Sequence, residues 1–239
     1  MQLEIRIDQK KLRNAQGAER VIFQDLELSL PSGWSGALLG PSGCGKSTLL
    51  RMVSGLDRDF IGEVTLPGQG RMACAFQEPR LLAWRNVEQN IRFVAPRLSE
   101  RELIELLERF ELGGHAKHFP GELSLGLARR VSLARAMAVP ADVVLLDEPF
   151  ASLDDSMRGR IRSEIARQVQ SAGATVLLVT HDIDDAHAIC GRVFTLAGAP
   201  ASLRSVVDLP TYAGNRSLEF PSKTGCAAPL AALASPQRK

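Results

Sequence analysis

The spacing of apolar residues changes period twice along the chain. Near the N-terminus Leu3, Ile5 and Ile7 alternate with charged residues, and Leu26, Leu28 and Leu30 alternate in the same way. A period of two lines one face of an extended chain, so both stretches predict half-buried strands. Residues 62–66 and 72–76 predict two more, and 35–39 a short buried strand followed by a helix over 46–53, with Gly55 at its end. The pattern then turns helical. Ser99 and Glu102 form a capping box, and Leu103, Leu106, Leu107 and Phe110 make one apolar stripe. A second helix is predicted over 127–138, stopped by Pro140.

Alternation of strand and helix returns afterwards. Val143-Val144-Leu145-Leu146 and residues 175–179 are continuous apolar runs, as expected of parallel strands covered on both faces. Between them a helix over 156–172 carries Ile161, Ile165 and Val169 and closes at Gly173; a last strand is predicted over 193–196. From Thr211 the composition thins to Pro, Ala, Gly and Ser, which predicts a loosely ordered tail, 211–239. No internal repeat is evident.

One glycine-rich stretch changes the picture from fold to chemistry. Gly40-Pro41-Ser42-Gly43-Cys44-Gly45-Lys46-Ser47-Thr48 fits the phosphate-loop pattern at every fixed position, between a predicted strand and a predicted helix. In that context backbone N–H groups and the positive end of the helix dipole point at one spot and cradle phosphate. Lys46 would reach the β- and γ-phosphates, and the Ser47 hydroxyl would ligate Mg²⁺. About a hundred residues on, an apolar strand ends in Asp147-Glu148. Asp147 is expected in the metal shell and Glu148 as the general base for an attacking water. Two acids at a solvated strand end would be the bland reading of that pair taken alone.

Composition narrows the classes. At 239 residues and 45% hydrophobic content the chain can build one large α/β core. A net charge of +2 argues against a dedicated nucleic-acid binder. No apolar run reaches the ~18 residues that span a bilayer, and the alternating N-terminus reads as a strand rather than a signal peptide. A cytoplasmic protein is expected. Cys44, Cys74, Cys190 and Cys226 are scattered, which argues against a metal site or disulfides; Cys44 is expected to be a small packing residue of the loop.

The order of motifs resembles the nucleotide-binding subunit of ABC transporters, over roughly residues 1–209. On that resemblance Gln77, after the strand ending at Phe76, is the Q-loop glutamine that reaches metal and attacking water. Leu123-Ser124-Leu125-Gly126-Leu127 falls at the signature, Ser152-Leu153-Asp154 at the D-loop, and His181 at the switch histidine that contacts the γ-phosphate. Taken singly, Gln77 could be a solvated loop residue, His181 structural, and Ser152 and Asp154 helix caps; five elements in order favour the family. The implied fold is α/β, a RecA-like phosphate-loop NTPase core of ABC type with an antiparallel β subdomain and an inserted helical subdomain. The implied domain spans 1–210, with the helical part at about 84–140. ATP and Mg²⁺ are the implied cofactors. The implied partners are a transmembrane permease, a second ATP-binding subunit (a copy of this chain rather than a different one) and, indirectly, a solute-binding protein. Each composite site would join one chain's loop to the other's Ser124 and Gly126, on the inner face of the membrane.

The chain also departs from the family pattern. Leu125 replaces the first signature glycine, which predicts slower but not abolished hydrolysis, because a leucine there crowds the partner's ATP. Residues 11–20 hold no aromatic to stack on adenine; Phe23 is expected in the strand core, leaving Arg13 or apolar contacts to hold the base. The stretch from Phe76 to Val87, with Leu81-Leu82-Ala83-Trp84, is similar to nitrate, sulfonate and taurine importers. Trp84 is the expected anchor for the permease, unless it packs inside the helical subdomain. Four alternatives remain: an exporter-type or lipid-pathway ABC subunit, a low-activity subunit of a heterodimeric transporter, a soluble non-transport ABC ATPase, and a small-molecule kinase or GTPase, the GTPase lacking an N-K-x-D motif.

Overall fold

The predicted N-terminal alternation folds as two long strands, β1 (Gln2–Arg13) and β2 (Glu19–Pro31), paired antiparallel with Ile5 opposite Leu28. A third strand, β4 (Ile61–Thr65), pairs with the other edge of β1. The computed structural model describes residues 2–13, 17–151 and 153–209. The expected tail, 211–239, and Ser152 of the expected D-loop lie outside the described residues.

A second sheet has the order β5-β6-β7-β3-β8-β9. Its members are β3 (Ser35–Leu39), β5 (Met72–Ala75), β6 (Val143–Asp147), β7 (Thr175–Val179), β8 (Arg192–Ala197) and β9 (Ser202–Asp208). The first five are parallel; β9 runs antiparallel against β8. β3, β6 and β7 are buried along their whole length, which is why they read as unbroken apolar runs. Their side chains divide between two cores. Leu38, Val143, Leu145 and Leu177 face the antiparallel sheet and pack with Leu3, Ile5, Leu28 and Leu49. Ala37, Val144, Leu146, Val176 and Leu178 face the helices and pack with Ile161, Ile165, Val131 and Phe110.

The helices are α1 (Lys46–Val53), α2 (Val87–Val94), α3 (Glu100–Arg109), α4 (Leu125–Met137), α5 (Asp155–Ala172) and α6 (Ile183–Ile189). Three of them, α2 to α4, lie between β5 and β6 in sequence. The capping box at Ser99 is formed, with Ser99 accepting from the Glu102 N–H and Glu102 accepting from the Ser99 N–H. Three elements escaped the pattern. α2 and α6 are eight and seven residues long, too short to establish a period. β9 follows the strand expected to be last; as an edge strand with three consecutive exposed positions it lacks a clean alternation.

Candidate functional site

The phosphate-loop stretch turns between the end of β3 and the start of α1. Gly45 is the residue before α1, with φ +106°, a conformation L side chains avoid. A Cβ there would stand 2.6 Å from Ile22 Cγ2 and 2.7 Å from Phe23 Cζ. At Gly40 it would stand 2.9 Å from the Leu196 carbonyl and 3.0 Å from Cys44 Sγ. The loop is thus wedged between β2 and β8. Cys44 is buried, as expected of a packing residue. Lys46 is also buried; its ammonium donates to the carbonyls of Gly40 (2.7 Å) and Pro41 (3.1 Å) and so lies across the concave side of the loop.

That concave side opens into a cleft of about 480 Å³, within the size range of small-ligand pockets. Ser42, Gly43, Gly45, Lys46, Ser47 and Thr48 form its floor; Gln77, Asp147, Glu148 and His181 line it from the ends of β5, β6 and β7; Leu12 and Ile22 close it on the antiparallel sheet. Four candidates from three distant stretches of the sequence therefore meet at the C-terminal edge of the parallel sheet, where open α/β sheets bind ligands. A groove of about the same volume elsewhere, between β1, β2, β8 and β9, holds none of them.

Asp147 is 3% exposed and its Oδ1 has no hydrogen-bond partner. Burial pushes its carboxyl up; the Ser47 hydroxyl, which donates to it, and Lys46 pull it down, while Glu148 adds to the rise. A buried carboxylate with an orphaned oxygen beside a serine hydroxyl suits a hard divalent cation. Glu148 has φ +48°, a strain on the order of 1–3 kcal/mol for a side chain with a Cβ. Its N–H is fixed to the Val179 carbonyl at 2.9 Å, and both carboxylate oxygens lie 2.9 Å from His181 Nδ1. The Glu148 side chain is mostly buried and the His181 ring is 71% exposed.

The loop after Gln77 is gripped from α4. Arg135 donates to the carbonyls of Pro79 and Arg80, each at 3.0 Å, and Arg80 has φ +45°. Ser124 and Gly126 are not among the residues lining the cleft. Ser124 caps α4, accepting from the Leu127 N–H at 3.2 Å, and Leu125, the first residue of α4, is 55% exposed. One chain alone does not bring these residues to its own phosphate loop.

A family model described as ABC transporter matches residues 23–151. The chain belongs to the ABC transporter family. As an ABC ATP-binding subunit it binds and hydrolyses ATP. It is 42% identical over 202 residues to the aliphatic sulfonates import ATP-binding protein SsuB 1 of Pseudomonas savastanoi pv. phaseolicola (strain 1448A / Race 6), covering 84% of this chain and 83% of that one. It is 40% identical over 217 residues to the SsuB 1 of Pseudomonas aeruginosa (strain UCBPP-PA14), covering 85% and 87%. The fold matches a solved dimeric ATP-binding cassette, MJ0796, in a post-hydrolysis state bound to ADP and Pi, with a TM-score of 0.78, 24% identity, and 88% and 100% of the two chains covered. No helix among the described residues is long and apolar enough to cross a membrane.

Two parts of this ABC subunit were not singled out in sequence. Leu12, 41% exposed on β1, and Ile22, buried on β2, make the apolar wall beside the loop. Their only signal was the missing aromatic. Phe23, as expected, is fully buried. Asn90, also fully buried, accepts from the Leu82 N–H and donates to the carbonyls of Leu82, Arg85 and Asn86. It holds the turn that presents Trp84, whose 73% exposure rules out packing inside the helical part.

Proposed function

We propose that this chain is the ATP-hydrolysing energy-coupling subunit of a bacterial importer for aliphatic sulfonates. The observation that carries the reading is the identity of about two residues in five, over 84% of the chain, with subunits named for sulfonate import. Two copies would act together beneath a membrane permease, which a solute-binding protein would supply. Residues 1–210 form the ATPase domain in this reading, with the helical part at about 84–140 and Trp84 as the anchor for the permease.

The residues divide the work as follows. Backbone N–H groups of residues 42–48 bind the β-phosphate, and Lys46 leaves its two loop carbonyls for the γ-phosphate, so that no charge is stranded. Ser47, Asp147 and Gln77 would hold Mg²⁺, which supplies charge neutralisation on the phosphates when bound. Glu148 takes a proton from the attacking water, and His181, bonded to both Glu148 oxygens, keeps the carboxylate aimed and reaches the γ-phosphate. Ser124 and Gly126 of the second copy close the site from the far side. Leu12 and Ile22 hold adenine by apolar contact alone, with Arg13 beyond them at the end of β1. The departure at Leu125 favours one further reading, a slow subunit paired with a different ATPase.

Uptake of a labelled alkanesulfonate by cells carrying Glu148→Gln tests the proposal. Uptake should fall to background while sulfate uptake stays normal. Unchanged sulfonate uptake would overturn it. Loss of both would point to another solute class.

A further inference from the structure

We propose that α5 sets the position of His181 through two ion pairs, Arg158 with Asp182 and Arg162 with Asp185, and thereby links the γ-phosphate contact to the segment at its own N-terminus. The proposal rests on the reading of His181 given above. Among the described residues the exposed His181 ring is tied only to Glu148, so its place depends on its backbone. Both neighbours of that backbone are held. Arg158 Nη1 donates to Asp182 Oδ2 at 2.7 Å, and Arg162 Nε donates to Asp185 Oδ1 at 2.6 Å. The Thr180 hydroxyl donates to Asp185 Oδ2 at 3.3 Å and accepts from the Asp182 N–H at 3.1 Å. The second Asp182 oxygen accepts from the Asp184 N–H at 2.8 Å, which caps α6.

The two arginines are four residues apart and so share one face of α5. Asp185 and Thr180 are 3% and 1% exposed, so the Arg162 pair has a buried acidic side, while the Arg158 pair is half-buried with both side chains 27% exposed. The same helix is capped by Asp154, whose carboxylate accepts from the Met157 N–H at 2.9 Å. Arg162 also lies over the Phe150 ring, 5.9 Å from its centre, between Glu148 and Asp154 in sequence. A shift of α5 along its axis must therefore carry residues 180–185 with it. Displacing a catalytic group by about 1 Å costs up to a hundredfold in rate, so this tie is a lever on turnover. None of Arg158, Arg162, Asp182 and Asp185 lines the cleft, so they act as positioning residues.

The test uses the full chain co-purified with its membrane partner. Arg158→Ala and Asp182→Asn should each lower kcat about tenfold while KM for ATP changes less than about twofold. The double variant should be no slower than either single one, and Arg158→Lys should keep most of the rate. Unchanged kcat in Arg158→Ala, additive losses in the double variant, or a parallel loss of ATP affinity would each overturn the proposal. His181→Ala, assayed alongside, separates the two claims. Full turnover in that variant would overturn the role given to His181 itself. Normal turnover in Arg158→Ala beside an inactive His181→Ala would overturn only the tie to α5.

Discussion

Replacing Gly45 by alanine should destabilise the protein even with no nucleotide present, and more than the same change at Gly43. Both glycines have positive φ, +106° and +77°. An alanine in such a conformation costs roughly 1–2 kcal/mol. The surroundings differ. At Gly43 the added Cβ meets nothing within 4 Å, so the backbone cost is the whole effect. At Gly45 it meets Ile22 Cγ2 at 2.6 Å and Phe23 Cζ at 2.7 Å. Both partners are buried in the core between the sheets and cannot swing into solvent. Overpacking of this kind adds about 1–3 kcal/mol, which brings Gly45→Ala to about 2–5 kcal/mol in all. In a chain of this size each kcal/mol moves Tm by roughly 2–4 °C, so the expected losses are about 2–8 °C for Gly43→Ala and roughly 4–20 °C for Gly45→Ala. Circular dichroism melts of the two purified variants without ATP would measure the gap. A Gly45→Ala variant as stable as Gly43→Ala would refute the account of how the phosphate loop is seated.

Three further outcomes are expected. Leu125→Gly should speed ATP hydrolysis by the assembled complex about fivefold, the equivalent of relieving ~1 kcal/mol of crowding; an unchanged steady-state rate would remove Leu125 as a brake. Asp147→Asn should make the nucleotide-free protein more stable at neutral pH. The carboxyl costs nothing below its unfolded pKa, where both states hold the proton, and it costs most once the pH has passed its raised folded value, so the gain should vanish in acid when urea melts are compared across pH. Trp84→Ala should leave stability within about 0.5 kcal/mol, as for other surface changes, yet weaken co-purification with the permease by about thirtyfold, the equivalent of ~2 kcal/mol for a lost anchor.

Much of this was legible in the chain itself, because its strongest signals are local. Continuous apolar runs mark β6 and β7 since both faces of a parallel sheet are covered. The phosphate loop and the Asp147-Glu148 pair are contiguous, so their chemistry is written where it is performed. The residues missed are those whose role depends on a distant partner. Leu12 matters only because β1 passes beside Gly45, and Arg135 only because α4 passes beside the turn at Arg80. Asn90 reads as an ordinary polar residue of a short helix until its amide is seen to satisfy three carbonyls of the preceding turn. Glu148 carries no sign in sequence of its left-handed backbone.

The strand order has a consequence for synthesis on the ribosome. β3, which delivers the phosphate loop, is made early but sits between β7 and β8, more than 130 residues later in the chain. Until residues 175–197 emerge, β3 has no neighbouring strand to accept its backbone hydrogen bonds, although Leu38 can already pack on the antiparallel sheet. The nascent chain therefore carries a strand with both edges unpaired through most of translation, a state prone to aggregation. Chains truncated before β7 should neither bind ATP nor stay soluble without a chaperone, although they contain every residue of the phosphate loop.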